Sequence, residues 1–156
     1  VRQKKARNVS RKIPSRLTPH ASRLLRSARV AHLATADASA RPHVVPICFA
    51  VDGRELFTPI DSKPKRVAAL RLKRVRNILA NPEVAVVVDC YHEDWRRLEY
   101  VLLCGRARIV KRGKLHRKAI GLLRNKYLQY RTMPLVDHEV IVIHMRTATA
   151  WDASSA

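Results

Sequence analysis

Five consecutive residues, Ser62-Lys63-Pro64-Lys65-Arg66, put one hydroxyl and three cations into a single short stretch. Phe57 and Thr58 lie just upstream, at the end of a segment that reads as a strand, and the apolar spacing of Val67, Leu70, Val75, Ile78 and Leu79 predicts a helix over Lys65–Leu79. A helix start offers unpaired N–H groups and the positive end of the dipole, so acids rather than cations are favoured there. Cations in that place point to a bound anion. Hydroxyl donors from Thr58 and Ser62 and charge-assisted donors from Lys63, Lys65 and Arg66 suit a phosphate monoester. The plainer alternative is an ordinary basic helix start.

Arg41-Pro42-His43-Val44-Val45-Pro46-Ile47 is the second candidate. A strand with two prolines cannot donate a complete ladder, which leaves backbone available to a ligand. His43 is a contact candidate there, although a lone strand histidine is more often structural. The third is Asp89-Cys90-Tyr91-His92-Glu93-Asp94-Trp95. Contiguous loop residues seldom converge on one ion, so His92, Glu93 and Asp94 do not make a metal site, while Tyr91 and Trp95 could line a planar ligand or a subunit interface. Cys48, Cys90 and Cys104 lack metal-site spacing and read as reduced core thiols. With four scattered glycines there is no dinucleotide fingerprint, and zincin and serine-hydrolase motifs are also missing.

These segments need a scaffold. A chain of 156 residues suits one domain with a substantial core. Its apolar runs are too short to span a bilayer and no signal peptide is visible, so the expectation is a soluble, cytoplasmic protein. Residues 1–17 read as a basic arm and 18–156 as the folded domain. Thr18-Pro19 starts a short helix to about Ala28. Strands follow over Val30–Thr35, His43–Val51 and Glu55–Thr58, with Asp52-Gly53 as a type I′ hairpin turn. After the helix over 65–79 come strands Glu83–Cys90 and Glu99–Val110, the latter with a bulge or close approach at Gly105. A basic helix Leu115–Tyr130 and a strand from Glu139 towards Trp151 complete the order. This is a mostly β fold, with six antiparallel strands closing into a small barrel flanked by helices.

The net charge of +20 is segregated: residues 1–36 hold 10 Lys/Arg, 62–76 hold 7 and 111–131 hold 8, all without an acid. Solvated helix faces are one reading, and attraction to a polyanion or an anionic cofactor is the other.

From Ala28 to Val110 the order Arg-Pro-His-Val-Val-Pro-Ile, hairpin, Phe-Thr-Pro-Ile-Asp-Ser-Lys-Pro-Lys-Arg, helix, Asn-Pro-Glu-Val-Ala-Val-Val-Val and Gly-Arg-Ala-Arg resembles the pyridoxamine 5′-phosphate oxidase-like family of FMN- and deazaflavin (F420)-binding split β-barrels. The loop around His92-Glu93-Asp94-Trp95 looks most like its actinobacterial, F420-dependent branch. The resemblance implies a homodimer with the cofactor at the subunit interface. It implies phosphate contacts from Thr58, Ser62, Lys63, Lys65 and Arg66, with Phe57 beside them. It also implies a ring lying along His43, Val44, Val45, Pro46 and Ile47. His43 stands where the oxidases carry arginine and Cys48 near a lysine of theirs, which fits the reductase or F420 branches better than pyridoxamine phosphate oxidation.

The expected activity is therefore hydride transfer between F420 or FMN and a small conjugated substrate, with no protein nucleophile. A family member that binds flavin or haem without turnover is one alternative. A basic nucleic-acid-binding barrel is another, less favoured because aromatics make up only 5% of the chain.

Overall fold

The computed structural model describes residues 17–60 and 72–153. Helix α1 (Pro19–Ser27) starts as its sequence dictates: the Thr18 hydroxyl accepts from the Ala21 N–H, and Pro19 fills the first turn. Strands β1 (Ala31–Ala36), β2 (Pro42–Ile47), β3 (Ala50–Asp52) and β4 (Glu55–Pro59) follow. After helix α2 (Lys73–Ala80) come β5 (Glu83–Cys90), β6 (Glu99–Val110), helix α3 (Lys114–Lys126), the one-turn α4 (Gln129–Thr132) and β7 (Val140–Asp152). All ladders are antiparallel, in the order β2-β1-β5-β6-β7-β4-β3. The two outermost strands, β2 and β3, are chain neighbours separated only by Cys48 and Phe49. The sheet must therefore curl until its two ends lie close together, unpaired among the described residues, which makes it a split barrel.

Seven strands appear where six are expected, because the strand read over His43–Val51 breaks at Cys48-Phe49. The Phe49 N–H donates to the Tyr127 hydroxyl (2.9 Å), and that hydroxyl lies 3.0 Å from the Phe49 carbonyl and 2.8 Å from that of Arg29. A side chain thus takes the backbone groups that a ladder would have used. The same contact divides the helix expected over Leu115–Tyr130, since Tyr127 is extended (φ −122°, ψ 121°). Helix α2 begins later than expected because Leu72 is extended (ψ 127°), and the expected helical residues 65–71 lie outside the described residues. Asp52 pairs with Glu55, so Gly53 and Arg54 make the hairpin turn. Of these only Gly53 has positive φ (57°), which fits a type II′ turn better than type I′.

One core fills the barrel. Leu33, Leu56, Val86, Leu103, Ile141 and Met145 point inward, with Leu24 and Leu25 of α1 and Val75 and Ile78 of α2 closing over them. A second core lies outside the barrel wall, where Phe57, Val140 and Val142 meet Ala119, Ile120 and Leu123 of α3.

The β6–β7 register shifts between Cys104 and Gly105. Gly105 pairs with Met145 and Cys104 with Thr147, so Arg146 is the extra residue of a bulge. Glycine is required here, because a Cβ would overlap the His144 carbonyl. Two of the cysteines are not core thiols. Cys104 alternates outward from Leu103, and Cys90 is the last residue of β5, so both are exposed while Cys48 is half-buried.

Candidate functional site

Strand β2 alternates, with His43 and Val45 half-buried and Pro42, Val44 and Pro46 exposed, before Ile47 is buried. It pairs with β1 along its length, from Ala36↔Pro42 to Ala31↔Ile47. Its other edge carries no strand among the described residues, which is where a sheet tolerates proline. A buried polar relay pins this strand to the helix behind it. Asn77 Nδ2 of α2 donates to Thr35 Oγ1 of β1 (3.0 Å), and Thr35 Oγ1 donates to the His43 carbonyl (3.3 Å). Asn77 and Thr35 are 3% and 4% exposed, so neither has water as a substitute partner.

Val44 belongs to a wider apolar surface. On the outward face, Val44 pairs across to Ala34, Ala34 to Ala85, and Ala85 to Cys104; one row along, Val87 pairs with Leu102, and Tyr100 with Trp151. Val44 is 58% exposed, and the Tyr100 and Trp151 rings stack at 5.8 Å, both exposed. The face is apolar apart from one exposed pair, His32 between Pro46 and Val87 facing Asp89 beside Tyr100 at 3.9 Å, and an exposed, largely apolar sheet face of this kind marks an interaction surface.

Phe57 and Thr58 of β4 are fully buried. Phe57 points under α3, while Thr58 shares the inward parity of Leu56 and Ile60. Ser62, Lys63, Lys65 and Arg66 lie outside the described residues. The described residues therefore bring together the β2 part of the expected site, and Phe57 and Thr58 sit behind the wall rather than on its surface.

The sequence did not signal a cavity of about 440 Å³ at the opposite rim, beyond the end of β5. It is lined by His20 and Arg23 of α1, Cys90, His92, Arg96 to Glu99 and Asp152. His20 Nδ1 accepts from Arg23, and its Nε2 faces Glu99 Oε2 at 2.8 Å, an ion-pair distance off hydrogen-bond alignment. In the neighbouring loop the Asp94 N–H donates to His92 Nδ1. Asp94 also pairs with Arg96, whose hydrogen bond holds the Asp94 carboxyl below its usual range. His92 and Asp94 are thus committed to loop structure, and no three His, Cys, Asp or Glu among the described residues gather as metal ligands. Helix α1 and the end of β7, both distant in sequence from the loop, complete this cavity, so nothing local could have revealed it.

Behind the Cys48-Phe49 corner, Lys126 Nζ donates to the Leu25 carbonyl (2.9 Å) and sits 3.8 Å from the Phe49 ring centroid. Loss of solvent, then the nearby Arg29 charge, lowers the Lys126 pKa to about 8. Burial raises that of Tyr127 to about 12. Together they lock the corner that ends β2.

A family model described as pyridoxamine 5′-phosphate oxidase matches residues 17–152. No curated protein matches the chain. Among solved structures, a conserved hypothetical protein of Mycobacterium tuberculosis superposes with TM-score 0.71 at 18% identity, covering 89% of this chain and 86% of the other. A FAD-binding protein of Mesorhizobium loti gives 0.63 at 24% identity, covering 86% and 94%. A haem storage protein of Vibrio cholerae gives 0.66 at 16% identity, covering 88% and 94%. At these identities the likeness is one of fold. No helix among the described residues is long and apolar enough to cross a membrane.

Proposed function

The chain belongs to the pyridoxamine 5′-phosphate oxidase family, and on that premise we propose a homodimer that binds a tricyclic redox cofactor, FMN or F420, and transfers hydride between it and a small conjugated substrate. The observation that carries this reading is β2: Val44 and Pro46 point outward on a strand whose outer edge carries no partner strand among the described residues, beside a largely apolar sheet face. A planar, largely apolar ring suits such a wall, and its polar edge suits free backbone groups. FAD binding by the Mesorhizobium loti protein of the same fold is in keeping with it.

The fit has two halves. The ring half rests on His43 to Ile47, whose backbone is held by the Asn77–Thr35–His43 relay at one end and by the Tyr127 corner at the other. The phosphate half rests on Ser62, Lys63, Lys65 and Arg66, whose cations would neutralise the anion. Thr58, buried at the end of β4, leads directly into this segment. When bound, the cofactor supplies the hydride chemistry; the protein binds, orients and excludes water. Val44 and Pro46 perform the last of these tasks, helped by the second subunit against the apolar face.

The test is to titrate FMN and F420 separately, following cofactor fluorescence, and to record the absorption spectrum of the purified protein. Binding of one of them at about micromolar affinity, weakened about tenfold or more by Lys65→Ala, is expected. If neither binds and Lys65→Ala changes nothing, the proposal is wrong. A Soret band would assign the site to haem instead.

A further inference from the structure

Helix α3 buries His116, Ala119, Ile120 and Leu123, so its opposite face is fixed by helical geometry. That face presents Lys114, Arg117, Lys118, Gly121, Arg124 and Asn125. Acids are missing from the whole of 111–131. Lys118 pairs with Asp52 and the flanking Lys111 with Glu139. Arg112, Lys114 and Arg117 have no acidic partner among the described residues, and Arg124 is held by the carbonyls of Tyr130 and Met133.

Gly121 lies at the centre of this face. A Cβ built there meets nothing within 4 Å, so neither crowding nor packing calls for glycine. Glycine is also among the poorest residues for a helix interior. A bare stretch of helix between cations lets another surface approach the backbone closely, and the charges choose an anionic one. We propose that α3 is a docking face for nucleic acid, which meets the phosphate backbone without reading sequence.

Several observations select this partner. The +20 charge far exceeds what one cofactor phosphate needs. Helix α3 packs its apolar side on the outside of β3, β4 and β7 and turns its basic face outward, whereas the largely apolar sheet face runs across β2, β1, β5 and β6. A dimer formed through the apolar face would leave both copies of α3 open. None of the six face positions carries a large apolar side chain, as insertion into a lipid surface requires.

The experiment uses the full chain and a fluorescein-labelled duplex of about 20 base pairs, in two unrelated sequences, by anisotropy across a salt series. Both duplexes should bind alike, with log K falling linearly against log salt. Lys114→Ala with Arg117→Ala should flatten that slope by about 2. The sharper variant is Gly121→Glu. It gives the helix a better former with Arg117 one turn away, so the thermal midpoint should not fall, while binding weakens about tenfold or more. Arg97→Ala, at the far rim, should shift affinity less than about twofold. The proposal is overturned if Gly121→Glu binds like the parent, if the slope ignores the double variant, or if phosphatidylserine vesicles bind and duplexes do not.

Discussion

Replacing Tyr127 with phenylalanine removes one oxygen and should cost far more than its volume suggests. The ring is buried, and its hydroxyl accepts from the Phe49 N–H at 2.9 Å. Its single proton serves either the Arg29 carbonyl at 2.8 Å or the Phe49 carbonyl at 3.0 Å. Phe49 is 0% exposed, so water does not replace the lost partner. An orphaned buried group costs about 1–3 kcal/mol, and two are created; because the Arg29 carbonyl can be partly hydrated, the sum is about 2–4 kcal/mol. With a urea m-value of about 2 kcal/mol/M, the midpoint should fall by about 1–2 M. Amide exchange at Phe49 should accelerate beyond the global change, because its acceptor is gone. A loss under about 1 kcal/mol, or an unchanged Phe49 amide, would refute the claim that this hydroxyl replaces a strand ladder.

Thr35→Val preserves shape but strands Asn77 Nδ2 and the His43 carbonyl, so chemical denaturation should show a loss of about 1–3 kcal/mol. Gly105→Ala drives a methyl into the His144 carbonyl, and the bulge should yield at about 1–3 kcal/mol, read as a lower thermal midpoint. The contribution of Lys126 and Tyr127 to stability should peak near pH 10. The unfolded chain keeps the Lys126 proton up to 10.5 while the folded chain releases it near 8, so stability rises across that interval. Unfolded Tyr127 ionises near 10 but folded Tyr127 near 12, so stability then falls; both groups are partly hydrated, which keeps the amplitude small, and denaturation from pH 7 to 12 reads the curve. Leu102→Glu places a charge in the apolar sheet face and should convert a dimer to monomer in sedimentation; a parent that already sediments as a monomer contradicts the dimer.

Legibility in the sequence tracked how local each cause was. The Thr18-Pro19 start, β5 and β6 follow from capping and residue type within a few positions, and their bounds agree with the structure. Glycine inside β6 likewise announced a bulge. What failed was non-local. The break at Cys48-Phe49 is made by a hydroxyl 78 positions away, and no pattern within residues 43–51 records it. Cys104 looked like core because its neighbours are apolar, yet the stretch of β6 from Tyr100 to Cys104 is apolar on both faces. The edge position of β2 was legible because its prolines restrict it there; the burial of Phe57 and Thr58 was not, because it depends on α3 and on the barrel closing.

The bulge at Arg146 links the two surfaces on which the functional readings rest. Before it, Val140 and Val142 point outward beneath α3 and Ile141, Ile143 and Met145 point inward; after it, Thr147 and Trp151 are level with outward Cys104 and Tyr100. Without the extra residue, the parity of one half of β7 would reverse, because side chains alternate with a period of two. Trp151 would then turn towards the barrel interior and break the apolar face, or Val140 and Val142 would leave α3 without a seat. One inserted residue, accommodated by one glycine, therefore lets a single strand support the apolar sheet face at one end and anchor the basic helix at the other.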